Sequence, residues 1–104
     1  MSFLSSAQKT LVDQIGTVVD DVEARMMLGA VGLFVNDAQF GILEEGELYL
    51  CVTDDHRGDF AEAGTEPYGA GAVETASYLE VPQEVLDDPD TLATWVERAV
   101  EAAD

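Results

Sequence analysis

Apolar residues at the start of the chain recur at intervals of three and four. Leu4, Ala7, Leu11, Ile15, Val18 and Val22 draw one stripe, the period of an amphipathic helix, and predict a helix over residues 5–23. Ser5 followed three positions later by Gln8 fits a capping box, in which the two side chains satisfy orphan amide donors. Gly16 within the stripe weakens the helix by about 1 kcal/mol relative to Ala without erasing it. From about Met26 the period drops to two. Val31, Leu33 and Val35 alternate with Ala30, Gly32 and Phe34; Phe40 and Ile42 with Gln39, Gly41 and Leu43; Leu48, Leu50 and Val52 with Glu47, Tyr49 and Cys51. Asn36-Asp37 and Glu44 to Gly46 separate these runs, and Asn-Asp tolerates the positive φ angles of a tight hairpin. The pattern predicts a three-strand antiparallel meander.

A short helix is expected from His56 to Ala63, with Asp54 or Asp55 as N-cap and Gly64 as a left-handed stop. Residues 64–72, "GTEPYGAGA", read as an irregular crossing loop, and residues 73–81, "VETASYLEV", as a strand that Pro82 ends. "QEVLDD" makes one turn with Val85 and Leu86 tucked inward. The last helix opens cleanly, with Asp88 as N-cap, Pro89 at the first helical position and Asp90 near the positive dipole end. Leu92, Trp95, Val96, Ala99, Val100 and Ala103 form its buried face. Helices at the chain ends around a meander define an α+β fold, with the C-terminal helix packed on the sheet. Residues 1–104 are read as a single domain.

The glycines suggest a phosphate loop, but "GAVG" (29–32) and "GAGA" (69–72) match no nucleotide-binding spacing and neither is followed by Lys. Gly29 and Gly32 lie in or beside a strand, where glycine serves a bulge or a close backbone approach. Cys51 is the sole cysteine and His56 the sole histidine. A nucleophilic thiol needs a neighbouring base and a lowered pKa, and the acidic surroundings oppose a thiolate. No zinc or calcium spacing includes His56 and its neighbouring aspartates. Neither catalytic residues nor a cofactor or metal are expected.

Charge changes the picture most. Twenty-two acids face four Lys and Arg, a net charge of −18, divided as −6 over residues 1–52 and −12 over 53–104. Nucleic-acid binding draws its affinity from cations neutralising phosphates, so no direct nucleic-acid contact is expected. The acids can form a solvated coat suited to high salt, steer a basic partner, or mimic nucleic acid. Their dispersal and the near absence of Lys point to the coat. The N-terminus carries no signal-peptide pattern and no apolar run reaches the ~18 residues of a membrane span, so a cytoplasmic location is expected.

Four segments in order resemble the N-terminal domain of the TfoX/Sxy family, known chiefly from regulators of natural competence. "RMMLGAVGLFVNDAQFGIL" is similar to the family's Arg-x-Met-Phe-Gly-Gly-x-Gly-Leu hairpin through Arg25, Met27, Gly29, Gly32 and Leu33. "ELYLCV" resembles its Leu-Tyr-Leu-Lys-Val strand, with Tyr49 matching and Cys51 where Lys is common. "FAEAGTEPY" matches a Phe-x-x-x-Gly-x-x-Pro-aromatic loop through Phe60, Gly64, Pro67 and Tyr68. The segment from Tyr78 to Val100 is similar to the family's Tyr-x-x-Val-Pro close and Trp-bearing helix. Leu28, Ala30 and Val31 depart from the usual Phe, Gly and Tyr. With the chain ending at Asp104, the second domain of the full-length regulators is not expected here.

The resemblance implies a non-enzymatic regulatory or coactivator-type module acting through protein partners or as a homodimer. Arg25, Met27, Gly29, Gly32, Tyr49, Pro67, Tyr68 and Tyr78 are its shape-determining or interaction candidates, with Arg25 pairing an acid at the sheet edge. Two other readings remain open: a small-molecule site or minor enzyme in the cleft under "GTEPYGAGA", near Tyr68 and Cys51, and an acidic nucleic-acid mimic. The charge count makes its own prediction. If the acids form a salt-adapted coat, the melting temperature rises steeply from dilute buffer to about 1 M KCl, where the screening length falls to about 3 Å. A melting temperature that does not move over that range removes the salt-adapted reading.

Overall fold

In a computed structural model of the chain, residues 6–27, 30–44, 47–68 and 76–103 are described, without the side chains of Ala7 and Met27. The elements run α1 (Ser6–Gly16), β1 (Glu23–Met27), β2 (Ala30–Val35), β3 (Ala38–Glu44), β4 (Glu47–Cys51), α2 (Asp54–Glu62), β5 (Tyr78–Glu80), α3 (Gln83–Leu86) and α4 (Pro89–Ala103). The five strands form one antiparallel sheet in the order β1-β2-β3-β4-β5. The expected α+β architecture is present, with α4 against β3 and β4.

Cross-strand rows show how the pleat divides the side chains. Ala24, Leu33, Gly41, Leu50 and Leu79 stand opposite one another across all five strands. Leu33, Leu50 and Leu79 of this row join the main core with Ile15, Phe40, Leu43, Leu48, Leu92 and Val96. The next row is Arg25, Gly32, Ile42, Tyr49 and Glu80, on the opposite face. Gly41 sits in the centre of the buried row, where a Cβ would stand 3.2 Å from the Tyr49 carbonyl oxygen and 3.3 Å from Leu33 Cδ1. Its lack of a side chain lets Leu33 and Leu50 fill the space between β2 and β4.

The connection Asn36-Asp37 has φ of 51° and 67°, the two positive values of a hairpin turn whose twist matches the strands. Gly64 stops α2 at φ 73°, as its sequence position implies. At α4, Asp88 Oδ1 accepts the amide hydrogens of Asp90 (3.2 Å) and Thr91 (3.4 Å), and Oδ2 accepts the Thr91 hydroxyl at 2.9 Å. The Thr91 hydroxyl, followed by these amides, holds the Asp88 carboxyl below its ordinary range. Leu92, Val96 and Ala99 are buried, and Trp95, Val100 and Ala103 pack against the core.

Local elements depart from the sequence reading at four places. First, α1 ends at Gly16 rather than near residue 23. Val18 and Val19 donate their amide hydrogens back to Ile15 in a closing turn, and Asp21 takes φ 61°. Val19 and Val22 still reach the core, from an irregular connection that mimics helical spacing. Second, an extra strand, β1, opens the meander. Its sequence, Glu-Ala-Arg-Met-Met, lacks apolar alternation because this strand, at the sheet margin among the described residues, carries charged Glu23 and Arg25 on one face and an exposed Met26 on the other.

Third, β3 carries a bulge. Leu33 pairs with Gly41 and Phe34 with Gln39, leaving Phe40 as an extra residue. Phe40 and Leu43 therefore both enter the main core while Ile42 turns to the other face, where simple alternation grouped Phe40 with Ile42. Fourth, α2 begins at Asp54, with Thr53 in the cap position and no side-chain cap bond. Asp54 and Asp55 occupy the first turn, complementing the dipole. The strand expected over 73–81 is described only from Tyr78 to Glu80; residues 69–75 and Ser5 of the expected capping box lie outside the described residues.

Two glycines should respond to substitution with opposite signs. Gly41→Val forces atoms into a closed row and is expected to cost about 1–3 kcal/mol. Gly58, inside α2 with nothing within 4 Å of an added Cβ, should gain about 0.5–1 kcal/mol as Gly58→Ala. Denaturant unfolding of the two variants measures both signs.

Candidate protein-interaction surface

The helices take one face of the sheet; the other carries a smaller cluster of buried Ala30, Ile42 and Tyr49, with Tyr68 and Tyr78 against it. Three chain regions converge there: β4 supplies Tyr49, the connection after α2 supplies Tyr68, and β5 supplies Tyr78. Tyr49 and Tyr68 meet edge to face, ring centroids 5.1 Å apart, a favoured aromatic geometry. The segment before Tyr68 is held beside β5. Pro67 bridges to Leu79, Glu80 donates its amide hydrogen to the Glu66 carbonyl at 2.9 Å, and Tyr68 donates to the Tyr78 carbonyl at 3.1 Å. Pro67, which has no amide hydrogen to lose, suits this outermost position. The Tyr78 hydroxyl spans the sheet to donate to the Gln39 carbonyl at 3.1 Å.

Around Tyr49 lies a set of carboxylates. Its hydroxyl donates to Glu47 Oε2 at 3.3 Å. Loss of water, then the negative charges of Glu47, Glu80 and Glu44, push the phenol up to about 12, so it stays protonated at neutral pH. Glu80, opposite Tyr49 in the ladder, is raised by burial, by a hydrogen bond shared with the Glu47 carboxyl, and by the charges of Glu47 and Glu66. Cys51 pairs with Tyr78 across the ladder. Burial pushes the Cys51 thiol up and, with a smaller contribution from that thiol, raises Tyr78 as well. Burial thus favours the neutral forms of the Cys51 thiol and of the Tyr49 and Tyr78 phenols.

At the other end of the same row, Arg25 lies over the Phe34 ring, 4.4 Å from its centroid. Its Nη2 contacts Asp37 Oδ1 at 2.6 Å and Glu23 Oε2 at 2.7 Å, and its Nε donates to the same Glu23 oxygen at 2.9 Å. Hydrogen bonds to Asp37 and then Glu23 raise the Arg25 pKa above its ordinary value. The hairpin turn that gives Asp37 its positive φ also carries its carboxylate back to β1.

The sequence candidates thus fall into two groups on one face. Tyr49, Tyr68 and Tyr78 come together with Pro67 as their strut, and Arg25 stands across the sheet, separated from Ile42 by buried Gly32. Met27 lies on β1, its side chain outside the described residues, as is Gly29 altogether. Phe34, Asp37, Ile42 and Glu47 belong to the same surface without being among the sequence candidates, as does Glu80, an acid set in an apolar run of the sequence. Strand alternation could have flagged Glu47 beside Tyr49, but Asp37 and Glu80 become neighbours only through pairing. Residues 69–72 of the cleft segment "GTEPYGAGA" lie outside the described residues. The groove of about 330 Å³ at Gly64 and Thr65 is lined by Glu47, Glu80, Val81, Pro82 and Glu84 and omits both Tyr68 and Cys51.

A five-stranded antiparallel sheet with helices on one face and an aromatic, acid-rimmed cluster on the other defines a small α+β domain. The chain belongs to the TfoX N-terminal domain family, whose profile matches residues 13–103. It is 31% identical over 80 residues to the DNA transformation protein TfoX1 of Aliivibrio fischeri, an alignment covering 74% of this chain and 38% of that protein. The chain therefore spans well under half the length of that relative. Among the described residues no helix is long and apolar enough to cross a membrane.

The carboxyl pair has a measurable consequence. A group whose folded pKa is raised contributes stability below its unfolded pKa and loses it as pH rises through the folded value. Glu80 in its charged form therefore opposes folding at neutral pH. Glu80→Gln should melt above wild type at neutral pH, with the difference shrinking as pH falls to about 4. Equal melting gains at both pH values would contradict the raised Glu80 carboxyl.

Proposed function

We propose that this domain is a non-enzymatic regulatory module that works in the cytoplasm through protein contacts, either with a partner or with a second copy of itself. The observation that carries the reading is the division of the sheet's second face. Burial raises its Cys51 thiol and its Tyr49 and Tyr78 phenols, with neighbouring carboxylates adding to the shift at Tyr49, which suits them poorly to nucleophilic work. Its Arg25, Phe34 and Asp37 group is exposed or half-buried at the sheet margin, and arginine with aromatic neighbours is the chemistry that protein interfaces favour.

Family membership supports a regulatory role. The part played in DNA transformation, in the name of the Aliivibrio relative, is extended to this chain as part of the proposal. The charge of −18 argues for protein rather than nucleic acid as the immediate partner, and for an acidic coat adapted to high salt.

Affinity capture from the native host's lysate at its own salt concentration tests this. A stoichiometric protein retained by wild type and lost with Arg25→Ala or Tyr68→Ala, both still folded, is the expected result. Retention of a metabolite with no protein, or turnover of one by the purified chain, would replace this reading with that of a ligand-binding domain or minor enzyme.

A further inference from the structure

The two margins of the sheet differ. Beside β5 the backbone is occupied by Glu66 to Tyr68 through the bridge and amide bonds already described. Among the described residues, β1 pairs on one side only. Alternate residues of such a strand turn their amide hydrogens and carbonyls outward, and proteins commonly blunt that hazard with lysine, proline or a bulge. Residues 23–27, Glu-Ala-Arg-Met-Met, contain neither lysine nor proline, the β1–β2 register is unbroken, and Met26 is 59% exposed.

The order of residues along β1 selects an occupant. In antiparallel pairing of the strand with itself, setting Ala24 against Ala24 of a second copy brings Glu23 opposite Arg25, and by symmetry Arg25 opposite Glu23. On the other face the same register brings Val22 opposite Met26, beside Ala24. Val22 and Ala24 already pack on the margin of the main core, so the exposed Met26 would be covered by continuation of that core. Centring the pair on Arg25 or Glu23 would oppose like charges, which is destabilising. Centring it on Met26 would leave Arg25 opposite Met27 and Glu23 beyond the seam.

Deepening the self-association named above, and resting on that reading, we propose that the β1 edge pairs antiparallel with the β1 edge of a second copy, in register about Ala24. Two five-stranded sheets then become one continuous sheet. A five-residue strand pair makes a small interface, below the ~1,200 Å² of a standard stable one. Each copy also carries a charge of −18, and the seam sets two guanidinium groups among the carboxylates of Glu23 and Asp37 from both copies. Association is therefore weak in dilute buffer and strengthens as salt screens the long-range repulsion.

Sedimentation velocity at about 1 M KCl, with reductant present to keep Cys51 out of the result, tests the register. Wild type should show concentration-dependent dimer. Arg25→Glu sets carboxylates against each other and Glu23→Arg sets guanidinium groups against each other, so each alone should lose at least about tenfold in dimer affinity. An equimolar mixture of the two variants restores opposite charges at both positions and should dimerise again, which also shows that each remains folded. Wild type that stays monomeric, dimer indifferent to either substitution, or a mixture that remains monomeric overturns the proposal. Such a failure is distinguishable from failure of the wider reading: a monomeric chain that still captures a stoichiometric foreign partner leaves the regulatory module intact and removes only the β1 seam.

Discussion

The pleat of the five-stranded sheet is the constraint on which the rest of the molecule depends. Successive residues must face opposite ways, so the buried row Ala24–Leu33–Gly41–Leu50–Leu79 and the adjacent row Arg25–Gly32–Ile42–Tyr49–Glu80 cannot be altered independently. Packing the first row beneath the helices dictates what the second presents. Gly41 shows the coupling most directly, because any side chain there meets Leu33 and Leu50 together. The bulge at Phe40 is the one described irregularity in the β2–β3 ladder, and it lets β3 send both Phe40 and Leu43 inward without disturbing the pairing on either side.

This division explains why the Tyr49 and Tyr78 phenols and the Cys51 thiol are all raised above their ordinary values. Tyr49, Tyr78 and Cys51 face away from the helices yet are partly or wholly buried, so they lose water without gaining a cationic partner. Desolvation disfavours their charged forms, and the carboxylates of Glu47 and Glu80 push Tyr49 in the same direction. Arg25 lies at the opposite margin and spends its charge on Glu23 and Asp37. The described contacts of Arg25 thus lie at the sheet margin opposite the tyrosines.

Local codes were readable where the physics is local. Asp88 and Pro89 mark the start of α4 because capping involves residues two or three positions apart. Asn36-Asp37 mark the hairpin and Gly64 ends α2 because positive φ is a property of single residues. The stripe over residues 4–22 misled for an equally physical reason. Val19 and Val22 are core residues, but an irregular turn delivers them, and burial leaves the same mark on a sequence whichever backbone achieves it. β1 was illegible as a separate strand because an edge strand with charged positions lacks the alternation that reveals a buried one.

The sequence by itself determined the α+β class, the family and the helix and hairpin boundaries set by caps and turns, since each follows from residues within a few positions of one another. Only the tertiary structure decided that Tyr49, Tyr68 and Tyr78 form one cluster, that Glu80 lies beside Tyr49 and Glu47, that Asp37 returns to Arg25, and that β1 ends the sheet among the described residues. Those outcomes depend on which strands pair and in what register. A single displaced residue such as Phe40 reverses the face of its neighbours, and pairing energy is spread over contacts distant along the chain, where no local pattern records it.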